Sequence, residues 1–266
     1  MELSLGGRMI GDGHPTFIVA EIGQNHQGDP YLASRLVGEA VRAGADAVKF
    51  QLRDCYREFT EERLNAPHPN SEHAFGQTYK QHRLNLDLTI RQLDTLRSRV
   101  QYNEWPIKFF VTPCYADGVE DLEAMGMEFY KIASKDNENE ELIEAVRKTG
   151  KPAICSVTRY RDDRRFNVQM YCVPKHPTPL ADIDLSRVAE IAEHTIAGFS
   201  DHSGSPYMAS PAVALGADIV EVHLTASKLM RGNDHKASLT PYEFRRMVES
   251  VRATEAVLGC KKVMRV

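Results

Sequence analysis

Residues 198–239 read GFSDHSGSPYMASPAVALGADIVEVHLTASKLMRGNDHKASL, and the fold is decided there. A strand-like run at 196–199 leads into Ser200-Asp201-His202, and a second at 219–223 ends in Glu221-Val222-His223. Between them a helix-length segment, 205–215, is closed by Gly216. Side chains alternate across a strand, so Glu221 and His223 share one face. A strand–helix–strand unit runs its strands parallel, and histidines at the C-terminal ends of two such neighbours converge on one point. His202 and His223 are therefore candidate ligands of a divalent metal that polarises a carbonyl. Gly232-Asn233-Asp234-His235 adds a third polar element, in which Asp234 is a better candidate than His235. Taken singly, His202 could cap or pack and His223 could fill a core; the constellation is what favours the metal.

Outward from this stretch the same alternation runs through the chain. Strand-like runs fall at 17–21, 47–51, 107–111, 129–133, 152–156 and 168–172, with the two above making eight. Helical patterns fall at 30–43, 88–102 (capped by Asp87), 118–125, 138–149, 183–194, 205–215 and 241–258, with starts at Asp or Pro and stops at Gly. A short hairpin around 5–10 precedes them, and a long irregular region rich in His, Pro and Asn covers 53–85. Eight parallel strands alternating with helices predict an α/β (β/α)8 TIM barrel, one domain over residues 1–266. Only 157–167 separates the fifth run from the sixth, too short for a helix and two turns. The fifth helix is expected to be shortened or missing, leaving a barrel face for another subunit to cover.

Bulk composition agrees with an ordinary soluble globule. The 266 residues suffice for one large core, and a net charge of −4 gives no electrostatic case for nucleic acid or an acidic membrane. No apolar run approaches the roughly 20 residues of a membrane helix, and MELSLGGRMIGDG lacks the basic-then-apolar order of a secretory signal. Five scattered cysteines without a CxxC point to reduced thiols and a cytoplasmic location.

Barrel strands should be apolar, so polar residues at their C-terminal ends carry the chemistry. Glu21 ends the first strand; Lys49 and Gln51 share a face of the second; Thr112 ends the third; Lys131 and Ser134 close the fourth and Ser156 the fifth. Lys49 and Lys131 with the hydroxyls of Thr112, Ser134 and Ser156 suit a phosphate and a carboxylate together. Glu21 is placed to act as a base toward water. Phosphorylated acid and metal-polarised carbonyl side by side suggest carbon–carbon bond formation from an enol phosphate. A Schiff-base aldolase using Lys131 as nucleophile is the alternative chemistry. A barrel that binds without catalysing, or works only with a partner domain, is the non-enzymatic one.

The sequence resembles the N-acetylneuraminate (sialic acid) synthase, or NeuB-like, family. The resemblance is carried by AEIGQNHQGD (20–29), AGADAVKFQ (43–51), FVTPCYADGVEDLEAMGMEFYKIAS (110–134), KPAICS (151–156), HPTP (176–179), GFSDHSG (198–204), LGADIVEVHL (215–224) and GNDHKASL (232–239). It implies a TIM barrel that condenses phosphoenolpyruvate with an N-acetylmannosamine-like aldose, giving a nine-carbon 2-keto sugar acid and phosphate. It further implies Mn²⁺, or Mg²⁺ or Co²⁺, on His202 and His223, and phosphoenolpyruvate on Lys49, Thr112, Lys131, Ser134 and Ser156. Glu21 would handle water, and Gln51 and Asp234 would line the site. Family members form homodimers and carry a C-terminal antifreeze-like domain whose arginine reaches the partner's site. This sequence ends soon after the barrel, so that arginine is expected from a separate polypeptide, or the acceptor differs. Ser156-Val157-Thr158, Lys135, Pro174 and His176 stand where the family pattern has Ser-Thr-Gly, glycine, asparagine and tyrosine. With the shortened fifth unit, these departures cluster on strands five and six, in the phosphate half of the site.

Overall fold

The computed structural model describes residues 1–259; Cys260, among the five cysteines, lies outside the described residues. Strands β1 (Glu2–Leu5) and β2 (Arg8–Gly11) pair antiparallel as the expected hairpin, and their buried Leu5 and Ile10 join the core. The barrel strands follow: β3 (Phe17–Gly23), β4 (Ala47–Leu52), β5 (Lys108–Pro113), β6 (Tyr130–Ile132), β7 (Ala153–Val157), β8 (Val168–Cys172), β9 (Ile196–Asp201) and β10 (Ala217–His223). They run parallel in the order β5-β4-β3-β10-β9-β8-β7-β6, with β5 and β6 side by side but not hydrogen-bonded. The chain is thus a nearly closed (β/α)8 barrel of TIM type.

The helices form where local chemistry starts and stops them. Helix α1 (Pro30–Ala43) has Asp29 accepting from Tyr31 N, Pro30 in its first turn and Gly44 in the left-handed region at its end. The region expected to be irregular, 53–85, instead holds three short helices, α2 (Cys55–Glu58), α3 (Glu61–Asn65) and α4 (Tyr79–Leu86), the last ending one residue beyond it. Asp54, Thr60 and Thr78 cap them, each accepting from a backbone N–H of the first turn. Helix α5 (Ile90–Tyr102) begins two residues later than expected. Thr89 and Gln92 form a reciprocal capping box, while Asp87 pairs with Arg83. Then come α6 (Gly118–Ala124), α7 (Glu140–Lys148), α8 (Ser186–Ala192), α9 (Ala209–Ala214) and α10 (Pro241–Val257). Helix α9 is shorter than the pattern suggested, because residues 203–208 are held in turns; Asp201 and Ser203 accept from the backbone N–H groups of Ser203 and Ser205.

No helix stands between β7 and β8, as expected from the short spacing. The strap that replaces it buries Phe166, and Tyr160 packs on the core and stacks on His194. Arg165 ties the strap to Glu140 of α7 and pairs with Asp163 within the strap. The chain therefore puts apolar side chains of its own over part of the gap.

Candidate active site

All ten residues singled out from the sequence face one cavity of about 670 Å³ at the C-terminal end of the barrel: Glu21, Lys49, Gln51, Thr112, Lys131, Ser134, Ser156, His202, His223 and Asp234. Strand register explains the convergence. Glu21 lies beside Lys49 on one neighbour and His223 on the other, and Gln51 lies beside Thr112. These inward positions form adjacent rows across β10, β3, β4 and β5.

At the floor, Glu221 accepts from two lysines. Its carboxylate is 3.1 Å from Lys49 Nζ and 3.2 Å from Lys131 Nζ, and Ser200 Oγ donates to it at 3.1 Å. Lys49 also reaches Glu21 at 3.4 Å and donates to Thr112 Oγ1 at 3.3 Å. All four charged groups are buried. Burial alone would raise the Glu221 carboxyl, but Lys131 and Lys49 outweigh it and hold it below the usual carboxylate range. Burial would lower the Lys49 ammonium, but Glu21 and Glu221 outweigh it and hold it above an ordinary lysine. Lys131 goes the other way: burial lowers it, and its single carboxylate partner, shared with Lys49, does not compensate. Glu221 was not assigned a role from the sequence. The signal was present, since the alternation that turns His223 inward turns Glu221 inward too.

Glu21 is poised differently from Glu221. Burial pushes its carboxyl up to about 7, despite the opposing Lys49. Gln51 Nε2 donates to its Oε1 at 2.8 Å, whereas Oε2 has only the Lys49 ammonium at 3.4 Å. Gly23 makes this pairing possible. It has φ 51°, and a Cβ there would lie 2.9 Å from Glu21 Oε1 and 3.4 Å from Gln51 Nε2. A buried carboxyl titrating near neutrality is suited to proton transfer.

His202 and His223 lie at the rim with ring centroids 5.5 Å apart. His202 Nδ1 lies 2.9 Å from the carbonyl of Val173, so it carries the proton and leaves Nε2 as the lone-pair nitrogen, with Ser200 Oγ 3.4 Å away. Burial and the neighbouring histidines push His202 down to about 3, and burial pushes His223 down to about 4. Both are neutral, as ligands must be. His223 Nδ1 is buried without a hydrogen-bond partner, 3.9 Å from Asp234 Oδ2. Imidazoles with free lone pairs beside a carboxylate, one orphaned nitrogen among them, fit a divalent ion.

His235 does not join this group. Its ring nitrogens face Thr225 Oγ1 at 2.7 Å and Gln27 Nε2 at 3.3 Å. His26 is a packing residue, stacked on Phe50 and accepting from Gly28 N. His68 and His82 pack against each other, tilted by 42°, in the long β4–α5 segment, from which Arg53, Asn70 and His73 reach the cavity wall. His176, noted in the sequence as a departure without a role, also lines the cavity, with its ring centroid 4.0 Å from that of His202.

The profile of the NeuB family matches residues 36–263. The chain belongs to the NeuB family. N-acetylneuraminate-9-phosphate synthase of Mus musculus is 34% identical over 270 residues, covering 95% of this chain and 74% of that protein. N,N'-diacetyllegionaminic acid synthase of Campylobacter jejuni is 29% identical, covering 92% and 78%. The crystal structure of the N-acetylneuraminic acid synthetase of Leptospira borgpetersenii, in complex with citrate, superposes with a TM-score of 0.82 at 30% identity, covering 97% of this chain and 90% of that one. This NeuB-family chain is an enzyme of the carbon–carbon bond-forming synthase class. Among the described residues no helix is long and apolar enough to cross a membrane.

Proposed function

We propose that this NeuB-family enzyme condenses phosphoenolpyruvate with a 2-acetamido aldose of the N-acetylmannosamine type, giving a 2-keto sugar acid and phosphate. The observation that carries this reading is the division of one cavity into a cationic, hydroxyl-lined floor and a histidine rim. Lys49, Lys131, Thr112, Ser134 and Ser156 supply donors for the phosphate and carboxylate of the enol phosphate. His202 and His223 would hold the divalent ion, with Asp234 beside them. Mn²⁺, Mg²⁺ and Co²⁺ are all compatible with such a set, and the ion would supply Lewis acidity to a carbonyl.

The chain's own groups do the rest. The floor holds the enol phosphate so that its C3 faces the aldehyde carbon; the C2=C3 π pair forms the carbon–carbon bond, the carbonyl π pair moves onto the aldehyde oxygen, and that oxygen takes up a proton to become a hydroxyl. Water then adds at C2. Glu21, titrating near neutrality, takes a proton from that water, and Gln51 keeps its carboxyl oriented. The C2–O bond breaks and phosphate leaves. Lys49, held charged by Glu21 and Glu221, offsets the growing charge on the phosphate oxygens, with Lys131 beside it.

One observation favours the alternative of a Schiff base on Lys131: burial lowers that ammonium. Borohydride should trap no carbonyl substrate on Lys131; a trapped adduct would transfer the chemistry to the aldolase reading. The main test is phosphate release from phosphoenolpyruvate with Mn²⁺ and a panel of 2-acetamido and plain aldoses, with His223→Ala alongside. Release that needs one sugar and vanishes in the variant supports the proposal. Release independent of any sugar refutes it.

A further inference from the structure

Three imidazoles, not two, converge at the rim. His176, His202 and His223 each offer a ring nitrogen, and these atoms all lie within 4.8 Å of one another. Metal–imidazole bonds of about 2.0–2.1 Å place the nitrogens of a common ion roughly 3–3.5 Å apart, so small side-chain rotations would close the set. The His176 ring is 86° from that of His223 and the His202 ring 63° from it, while the His176 and His202 rings face each other at 32° with centroids 4.0 Å apart.

His176 is also held in place. It sits on the loop after β8, and that loop is fastened to His202 on both sides of it. Val173 O accepts from His202 Nδ1 at 2.9 Å, and Thr178 N donates to His202 O at 2.8 Å. Thr178 Oγ1 closes the loop on itself through Lys175 O at 2.8 Å. The same backbone that fixes the His202 tautomer therefore positions the His176 ring.

We propose that His176 is a third protein ligand of the divalent ion, and that the resulting three-imidazole set selects a borderline transition ion of the Co²⁺ or Zn²⁺ kind over Mg²⁺. The inference rests on reading His202 and His223 as metal ligands. Its chemistry is that of ligand softness: imidazole suits the later first-row ions, whereas Mg²⁺ prefers carboxylate and water oxygen. Each added imidazole widens that difference.

The test uses the full chain stripped of metal with a chelator, titrated with Co²⁺ and with Mg²⁺ by calorimetry, and the visible spectrum of the Co²⁺ form. His176→Phe keeps a ring over His202 and removes the donor; His176→Ala removes both. His176 is exposed, so neither change opens the core. Both variants should bind Co²⁺ at least tenfold more weakly, with a changed Co²⁺ spectrum and little change in Mg²⁺ affinity. Co²⁺ affinity and spectrum unchanged in His176→Phe would overturn the inference. His223→Ala separates the two layers. If it weakens Co²⁺ binding while His176→Phe does not, only the third ligand is refuted; if neither variant weakens it, the histidine rim is not the metal site at all.

Discussion

Glu221→Gln keeps the shape of the side chain and removes one negative charge from between two buried ammonium groups. Lys49 and Lys131, with side-chain exposures of 5% and 2%, would then face each other across a neutral amide. Removing one partner of a buried ion pair costs about 3–5 kcal/mol, a large share of the roughly 5–15 kcal/mol that stabilises a typical domain. At roughly 2–4 °C per kcal/mol, the melting temperature should fall by on the order of 10 °C. The loss should be largest at neutral pH and shrink toward alkaline pH. Burial already lowers Lys131, and a neutral Lys131 relieves the repulsion. Ligand response should carry the opposite sign. With one more net positive charge at the floor, inorganic phosphate should raise the melting temperature of the variant by more than that of the wild type. Differential scanning calorimetry across pH, with and without phosphate, reads both effects. A variant as stable as wild type at neutral pH, with an equal phosphate response, would refute the ion-pair account of the floor.

Glu21 is pushed by burial to about 7, so its base form grows in as pH rises through neutrality. The rate at saturating substrate should climb over the same range, and a glutamate carboxyl carbon-13 resonance absent from Glu21→Gln should titrate near 7; titration near 4 would contradict the assignment. Thr112→Val removes the hydroxyl beside Lys49 and should raise KM for phosphoenolpyruvate by about tenfold or more, at 1.5–3 kcal/mol for a charge-assisted hydrogen bond; an unchanged KM would remove Thr112 from the binding set. Gly23→Ala adds a methyl at φ 51° and 2.9 Å from Glu21 Oε1. It should cost about 1–2 kcal/mol of stability for the left-handed backbone and lower kcat by displacing Glu21, which thermal melts and steady-state kinetics would show or deny.

Strand periodicity made much of this architecture legible. Alternation of inward and outward side chains locates Glu21, Lys49, Gln51, Lys131 and His223 on the barrel interior, because one face of each strand must point there. The missing fifth helix follows from spacing alone. The role of Glu221 did not follow, because a lone acid in an apolar strand becomes intelligible only when β4, β6 and β10 bring two lysines to it. His176 was hidden for a related reason. It lies on a loop whose course depends on hydrogen bonds to residues near 202, which no local periodicity encodes. In residues 53–85 the helices are short and mostly polar, so the apolar period that marks a helix is absent. At α5, Thr89 with Gln92 prevailed over Asp87, whose carboxylate is engaged by Arg83.

The proposed condensation is tested most directly by following carbon. Phosphoenolpyruvate labelled with carbon-13 at C2 and C3 would be incubated with the enzyme, a divalent ion and the aldose that supports phosphate release, and the organic product characterised by mass spectrometry and NMR. The account predicts a 2-keto sugar acid carrying both labels next to each other, extended by three carbons over the aldose, with one phosphate released per product. Labelled pyruvate and phosphate beside unchanged sugar would contradict it.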